Sequence, residues 1–145
     1  MMRAVLSGML LLALMTLLRA EEKTSPRRDV PGASRRVFEL RTYYVNDGKL
    51  DDLHKRFRDH TCQLLKKHGA ELIGFWTPLD EKDGKGAKLV YLVAFPSREA
   101  AAKTWKEFGN DPEWRKVYEE SHKNGVLVKK VESVFLEPTD YSEMK

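Results

Sequence analysis

The segment FRDHTCQLLKKHG, residues 57–69, holds two of the chain's four histidines and its only cysteine. A histidine titrates near neutral pH, serves as a general base and ligates haem iron. A thiolate is a nucleophile and a metal ligand. Spacing decides which of these uses is open. At about 100° per residue, His60 and Cys62 stand about 160° apart in helical projection, so from this helix they cannot share an ion or work as a nucleophile and its base. His60 and His68 are about 12 Å apart along the axis, too far for one metal. The sequence contains no His-x3-His and no Cys-x2-Cys, and no metal site is expected. Cys62 points about 130° away from the apolar stripe and reads as a small surface or interface residue. His60 falls about 70° from the stripe's centre, on the shoulder of the buried face. Two readings stay open for it: a semi-buried imidazole bonded to a carbonyl or carboxylate, or a pocket base or haem ligand. His122 sits near a helix end, where it suits the dipole.

A second set of chemical groups lies in VFELRTYYV, residues 37–45. Strand residues alternate between faces, so Glu39, Arg41 and Tyr43 share one. A carboxylate, a guanidinium and a phenol on an otherwise apolar wall could orient a small ligand. The same trio also reads as a structural ion pair at i and i+2. Trp76 is a candidate pocket wall. Trp105 with Phe108, and Trp114 with Val117 and Tyr118, have helical spacing and read as core. DGKG lacks the spacing of a phosphate loop, DEKDG has too few spaced oxygens for a calcium loop, and neither Gly-x-Ser-x-Gly nor G-x-G-x-x-G is present.

These residues need elements to position them. VFELRTYYV alternates and is rich in aromatic and β-branched residues, which predicts a strand. The following stretch repeats Leu50, Leu53, Phe57, Leu64 and Leu65 at helical spacing, with Asp47 as the expected cap and Gly69 as the left-handed stop. ELIGFWTP predicts a second strand, ended by Pro78. LVYLVAF, residues 89–95, is apolar at every position, as in a central strand covered on both faces. Ser97 caps a helix that breaks at GND; Asp111 and Pro112 open another, which Asn124 and Gly125 stop. VLVKKVESVFLEP is the last strand. The order is that of a ferredoxin-like βαββαβ fold of the α+β class.

With both helices on one sheet face, the other would be bare. Both faces carry large apolar side chains, a patch that monomers rarely leave in water. A homodimer with the sheets face to face, a dimeric α+β barrel, would cover it. On this reading Glu39, Arg41 and Tyr43 look into the barrel.

The whole chain has 145 residues, with 41% hydrophobic and 33% charged, which suits one globular domain with a polar surface. Residues 1–20 differ: Arg3, then an apolar run from Ala4 to Leu18 and a small residue, Ala20. The run is short for a bilayer span, which needs about 20 residues, and fits a secretory signal cut after Ala20. The alternative is a retained N-terminal anchor. Secretion or periplasmic export follows, with no stable membrane span after cleavage. Loss of Arg3 and Arg19 leaves 24 basic against 22 acidic residues, too even a balance for nucleic-acid binding. Residues 21–36, with two prolines and many charges, read as a disordered linker; 37–138 form the domain and 139–145 a polar tail. A single cysteine excludes an internal disulfide.

FELRTYYVNDGKL, FRDHTCQLLKKHG, IGFWTP, LVYLVAF and FGNDPEWRKV, in this order, together resemble the NIPSNAP family over nearly the whole domain. The resemblance implies a dimeric α+β barrel related to small-molecule monooxygenases and haem-handling proteins. It implies no particular reaction, since the family has no generally established one. Eukaryotic members are linked to mitochondria and vesicle traffic, a setting the export signal departs from. The expectation is therefore a binding or interaction module with a small apolar or aromatic ligand and no resident cofactor. The alternative is a monooxygenase-like or haem-handling enzyme using His60, Arg41 and Tyr43.

Overall fold

The computed structural model describes residues 36–145. The expected signal, and the expected linker up to its last residue, lie outside the described residues. Strand β1 (Val37–Val45) leads into one long helix in three parts: α1 (Leu50–Arg56), a π segment (Phe57–Thr61) and α2 (Cys62–Lys67). β2 (Glu71–Trp76), β3 (Lys88–Phe95), α3 (Arg98–Asn110), α4 (Pro112–Ser121) and β4 (Val128–Leu136) follow. The four strands form one antiparallel sheet in the order β2-β3-β1-β4. β3 lies between two partners, the central place expected of it.

The helix ends largely obey local chemistry. Gly69, at φ +93°, closes the first helix. Its amide reaches the Lys66 carbonyl and that of Ala70 reaches Leu65, each at 3.0 Å. These two bonds satisfy carbonyls that a helix end otherwise leaves open. Ser97 Oγ accepts from the Ala100 amide at 3.2 Å, and Asp111 Oδ1 accepts from Glu113 at 2.8 Å. The expected cap at Asp47 does not form: the helix starts at Leu50 behind Lys49, which offers no side-chain cap.

Two irregularities alter side-chain directions. In the π segment the Cys62 amide bonds to the Phe57 carbonyl, five residues back. The wider turn brings Thr61 into the core and leaves His60 in solvent. In β2 the pairing shifts between Leu72 and Gly74, so that Leu72 opposes Val93 and Gly74 opposes Leu92. Leu72 and Phe75 therefore both pack into the core, while Gly74 and Trp76 turn the other way.

The core lies between sheet and helices. Val45, Leu89, Tyr91, Val93 and Phe95 of the central strands pack against Leu53, Phe57, Leu64, Leu65, Ala101 and Phe108 of the helices. The opposite face holds Leu40, Thr42, Val90, Leu92, Val134 and Leu136, given the alternation and the registers Leu40↔Leu92 and Leu40↔Val134. None of these belongs to the core cluster.

Candidate functional site

Glu39, Arg41 and Tyr43 share a face and meet, but that face is the one beneath the helices. The expectation that they look into a dimer barrel is thereby corrected. The alternation was right; which side the helices would cover was not legible from β1, because both of its faces are apolar enough to bury. Val45, in phase with this trio, belongs to the core with Leu53, and the register carries the trio there with it.

Glu39 is 1% exposed. Its Oε1 accepts from Arg41 Nη1 at 2.7 Å and from Ser133 Oγ at 2.5 Å, and its Oε2 accepts from Trp105 Nε1 at 2.5 Å. Strand β1 supplies the carboxylate and guanidinium, β4 the hydroxyl and α3 the indole. The guanidinium stacks over Trp105, 4.2 Å from the ring centroid. Burial opposes the Arg41 charge, yet Tyr91, Tyr43 and Glu39 together hold its pKa above the ordinary value. Arg41 Nε is buried without a partner.

Next to this pair lies an aromatic cluster. The Tyr91 hydroxyl donates to that of Tyr43 at 3.1 Å. Tyr91 stacks on Phe75 with centroids 5.3 Å apart and meets Phe57 edge-on at 5.4 Å. Burial, followed by the neighbouring Tyr43, raises the Tyr91 phenol well above its usual pKa, so it remains a neutral donor at physiological pH. Both oxygens of Glu39 are engaged, and the phenols are tied to each other. The arrangement pins β1, β4 and α3 together, with three donors already on a carboxylate that is 1% exposed.

The other two predicted residues stand apart. Trp76 lies on the open sheet face, 53% exposed, with its ring across Gly74: a Cβ on that glycine would lie 2.6 Å from the indole Cη2. His60 is exposed on the helix layer, which corrects its expected place on the buried shoulder. It lines a groove between the π segment and α4 that none of the β1 trio lines. The constellation of Arg41, Tyr43 and His60 around one barrel pocket is not assembled. Cys62 is half-buried, and burial raises its thiol pKa, with Lys66 pulling the other way; a raised pKa disfavours the thiolate. Among the described residues no three His, Cys, Asp or Glu side chains gather as metal ligands would. The tryptophan spacings read as core do pack: Phe108 lies 6.0 Å from Trp105 and 4.4 Å from Trp114.

Sequence reasoning passed over Ser133, Tyr91 and, above all, Arg56. Arg56 carried a usable signal: three residues after Leu53 and next to Phe57, a charged group stands on the apolar stripe.

A sequence model of the NIPSNAP family matches residues 38–143. Among curated proteins none matches the chain. Several solved structures share its fold. A NIPSNAP family protein of unknown function from Agrobacterium tumefaciens is 22% identical, with a TM-score of 0.66 over 77% of this chain and 96% of that one. Two uncharacterised proteins from Burkholderia xenovorans are similar. The NIPSNAP-like domain protein is 17% identical, with a TM-score of 0.65 over 75% of this chain and 90% of its own. The NIPSNAP domain protein is 24% identical, with a TM-score of 0.62 over 73% and 97%.

Proposed function

The chain belongs to the NIPSNAP family, and on that footing we propose that it is an exported binding or interaction module that acts as a homodimer. Two ferredoxin-like sheets meet through their open faces as a dimeric α+β barrel and enclose a small apolar or aromatic ligand. The chain order βαββαβ with β1 and β3 in the middle supports that architecture.

The observation that carries the proposal is the composition of the open face. Leu40, Leu92 and Val90 on the two middle strands form its centre, and Trp76 and Val134 on the two edge strands are each 53% exposed. Leu136, on the same face, is 41% exposed, while Phe38 and Ala94 at that end are already buried; a cluster of large exposed apolar side chains marks an interaction surface. The polar residues gather at one end and are already satisfied: Glu132 accepts from Tyr44 Oη at 2.8 Å and from Lys130 Nζ at 2.5 Å. The apolar centre is what remains to be covered. Sheets packed face to face sit about 10 Å apart, and a flat apolar ligand would lie between them against Leu40, Thr42, Leu92 and Trp76. Its contacts are these residues and not the β1 trio under the helices.

Sedimentation velocity tests the proposal. The protein is expected to run as a dimer at micromolar concentration, and Val134→Lys, on the edge strand, as a folded monomer. A wild-type monomer refutes it. Export, inferred from the apolar run and Ala20, predicts that mass spectrometry of the mature protein finds Glu21 at its N-terminus.

A further inference from the structure

Arg56 is 6% exposed and has no carboxylate partner among the described residues. Its guanidinium lies over the rings of Trp114 and Tyr118, 5.2 and 5.7 Å from their centroids. Nη1 meets only the neutral Ser121 hydroxyl, at 3.2 Å, and that hydroxyl donates its own proton to the Tyr118 carbonyl. Nε is buried with no partner at all. Burial lowers the Arg56 pKa, with Tyr43, Tyr118 and Tyr91 opposing the shift, but a guanidinium does not give up its proton in a protein. A buried cation without an anion is costly, and proteins pair such charges.

The π segment brings this about. Thr61 Oγ1 donates to the Arg56 carbonyl at 3.2 Å, and the wide turn leaves His60 outside while Arg56 remains under α4. Above Arg56 opens a groove of about 320 Å³ that also takes in His60, Ser121 and Asn124. That volume matches the smaller ligand pockets.

We infer that this groove binds a small organic carboxylate, which pairs with the Arg56 guanidinium through its Nη groups, Nε being closed off from solvent. Lys55 on the rim adds positive charge, His60 adds an imidazole, and Asp52, Asp59 and Glu120 add negative charge. Asp52 already pairs with Lys49 at 3.5 Å. This mixed rim selects a monoanion over a phosphate dianion, which would meet the acids. The site lies on the helix layer, so it stands or falls independently of pairing through the sheet.

Side-chain NMR of arginine Nε–Hε groups tests the inference on protein expressed from the full sequence. Sodium acetate, titrated at constant ionic strength and pH against sodium chloride, is expected to shift the Arg56 Nε–Hε peak saturably. The Arg41 peak should stay in place. Arg56→Lys keeps the charge but loses the planar fork, and is expected to weaken acetate binding roughly tenfold as followed through the Ser121 amide. Lys82→Ala, at a position that does not line the groove, should retain binding, and a far-ultraviolet circular dichroism spectrum of Arg56→Lys that matches wild type guards against misfolding. No saturable shift, an equal shift with chloride, or full affinity in the lysine variant overturns the inference. Saturation by inorganic phosphate but not by acetate overturns the choice of ligand.

Discussion

The buried pair Glu39–Arg41 invites a double-mutant cycle. Arg41→Met removes a guanidinium that is 18% exposed and leaves a carboxylate that is 2% exposed without its cation. Breaking a buried pair costs about 3–5 kcal/mol, and the partial exposure of Arg41 argues for the lower end. Glu39→Gln keeps the shape but replaces one acceptor oxygen with an amide. Either Trp105 or the Arg41–Ser133 pair of donors then faces another donor. One charge-assisted bond is worth about 1.5–3 kcal/mol, and stranding Arg41 adds to that, so this variant too should lose about 3 kcal/mol. With both changes neither charge remains to be stranded, and the double variant should lose only about 3–4 kcal/mol. The expected coupling is thus about 2–3 kcal/mol. Urea unfolding followed by far-ultraviolet circular dichroism measures each corner, with an unchanged slope as the control. Each corner needs two protein concentrations, because association would add to apparent stability. Single losses that sum to the double loss within about 0.5 kcal/mol would refute the claim that these groups act as a unit.

Three further outcomes are expected. Asp111 accepts from Lys67 and from His68 as well as capping α4, and those bonds, that from Lys67 first, lower its pKa below the ordinary carboxylate value. A depressed folded pKa stabilises above the unfolded value of about 3.9 and is lost as pH falls through the folded one. Asparagine caps as well as aspartate, so the urea midpoint of Asp111→Asn should lie below wild type at pH 6 and converge on it as pH drops below about 4. Gly74→Ala puts a Cβ where the Trp76 ring lies. The exposed indole should swing off the sheet at a cost under about 1 kcal/mol, seen as a red shift in tryptophan emission. His60→Ala removes an exposed side chain, so it should change stability by less than about 0.5 kcal/mol. Its absorbance on haem titration should match that of wild type.

The local rules were legible because they act through neighbours in the chain. Ser97, Asp111 and Pro112 mark helix starts, and Gly69 the stop, through bonds spanning a few residues. The apolar run of β3 announced a strand in the middle of the sheet, and the five motifs in order were enough to point to the family. Within the trio, period-two alternation put Glu39, Arg41 and Tyr43 on one face. Where local geometry departed from the regular period, the reading slipped. One extra residue in the π segment exchanged His60 for Thr61 at the core, and one bulge residue in β2 set Leu72 and Phe75 on the same side. No propensity marks either, since each is chosen by how the finished helix and strand fit their neighbours.

The sequence by itself determined the elements, their order and the presence of two apolar sheet faces, because each depends on spacing within one segment. Only the tertiary structure decided which face the helices cover. That choice is made by the helices and all four strands packing together: Val45 against Leu53, Glu39 against Trp105 and Ser133. It turned the β1 trio from a ligand wall into a buried brace, and it left Arg56, unremarked in the sequence, as a buried cation beside an open groove.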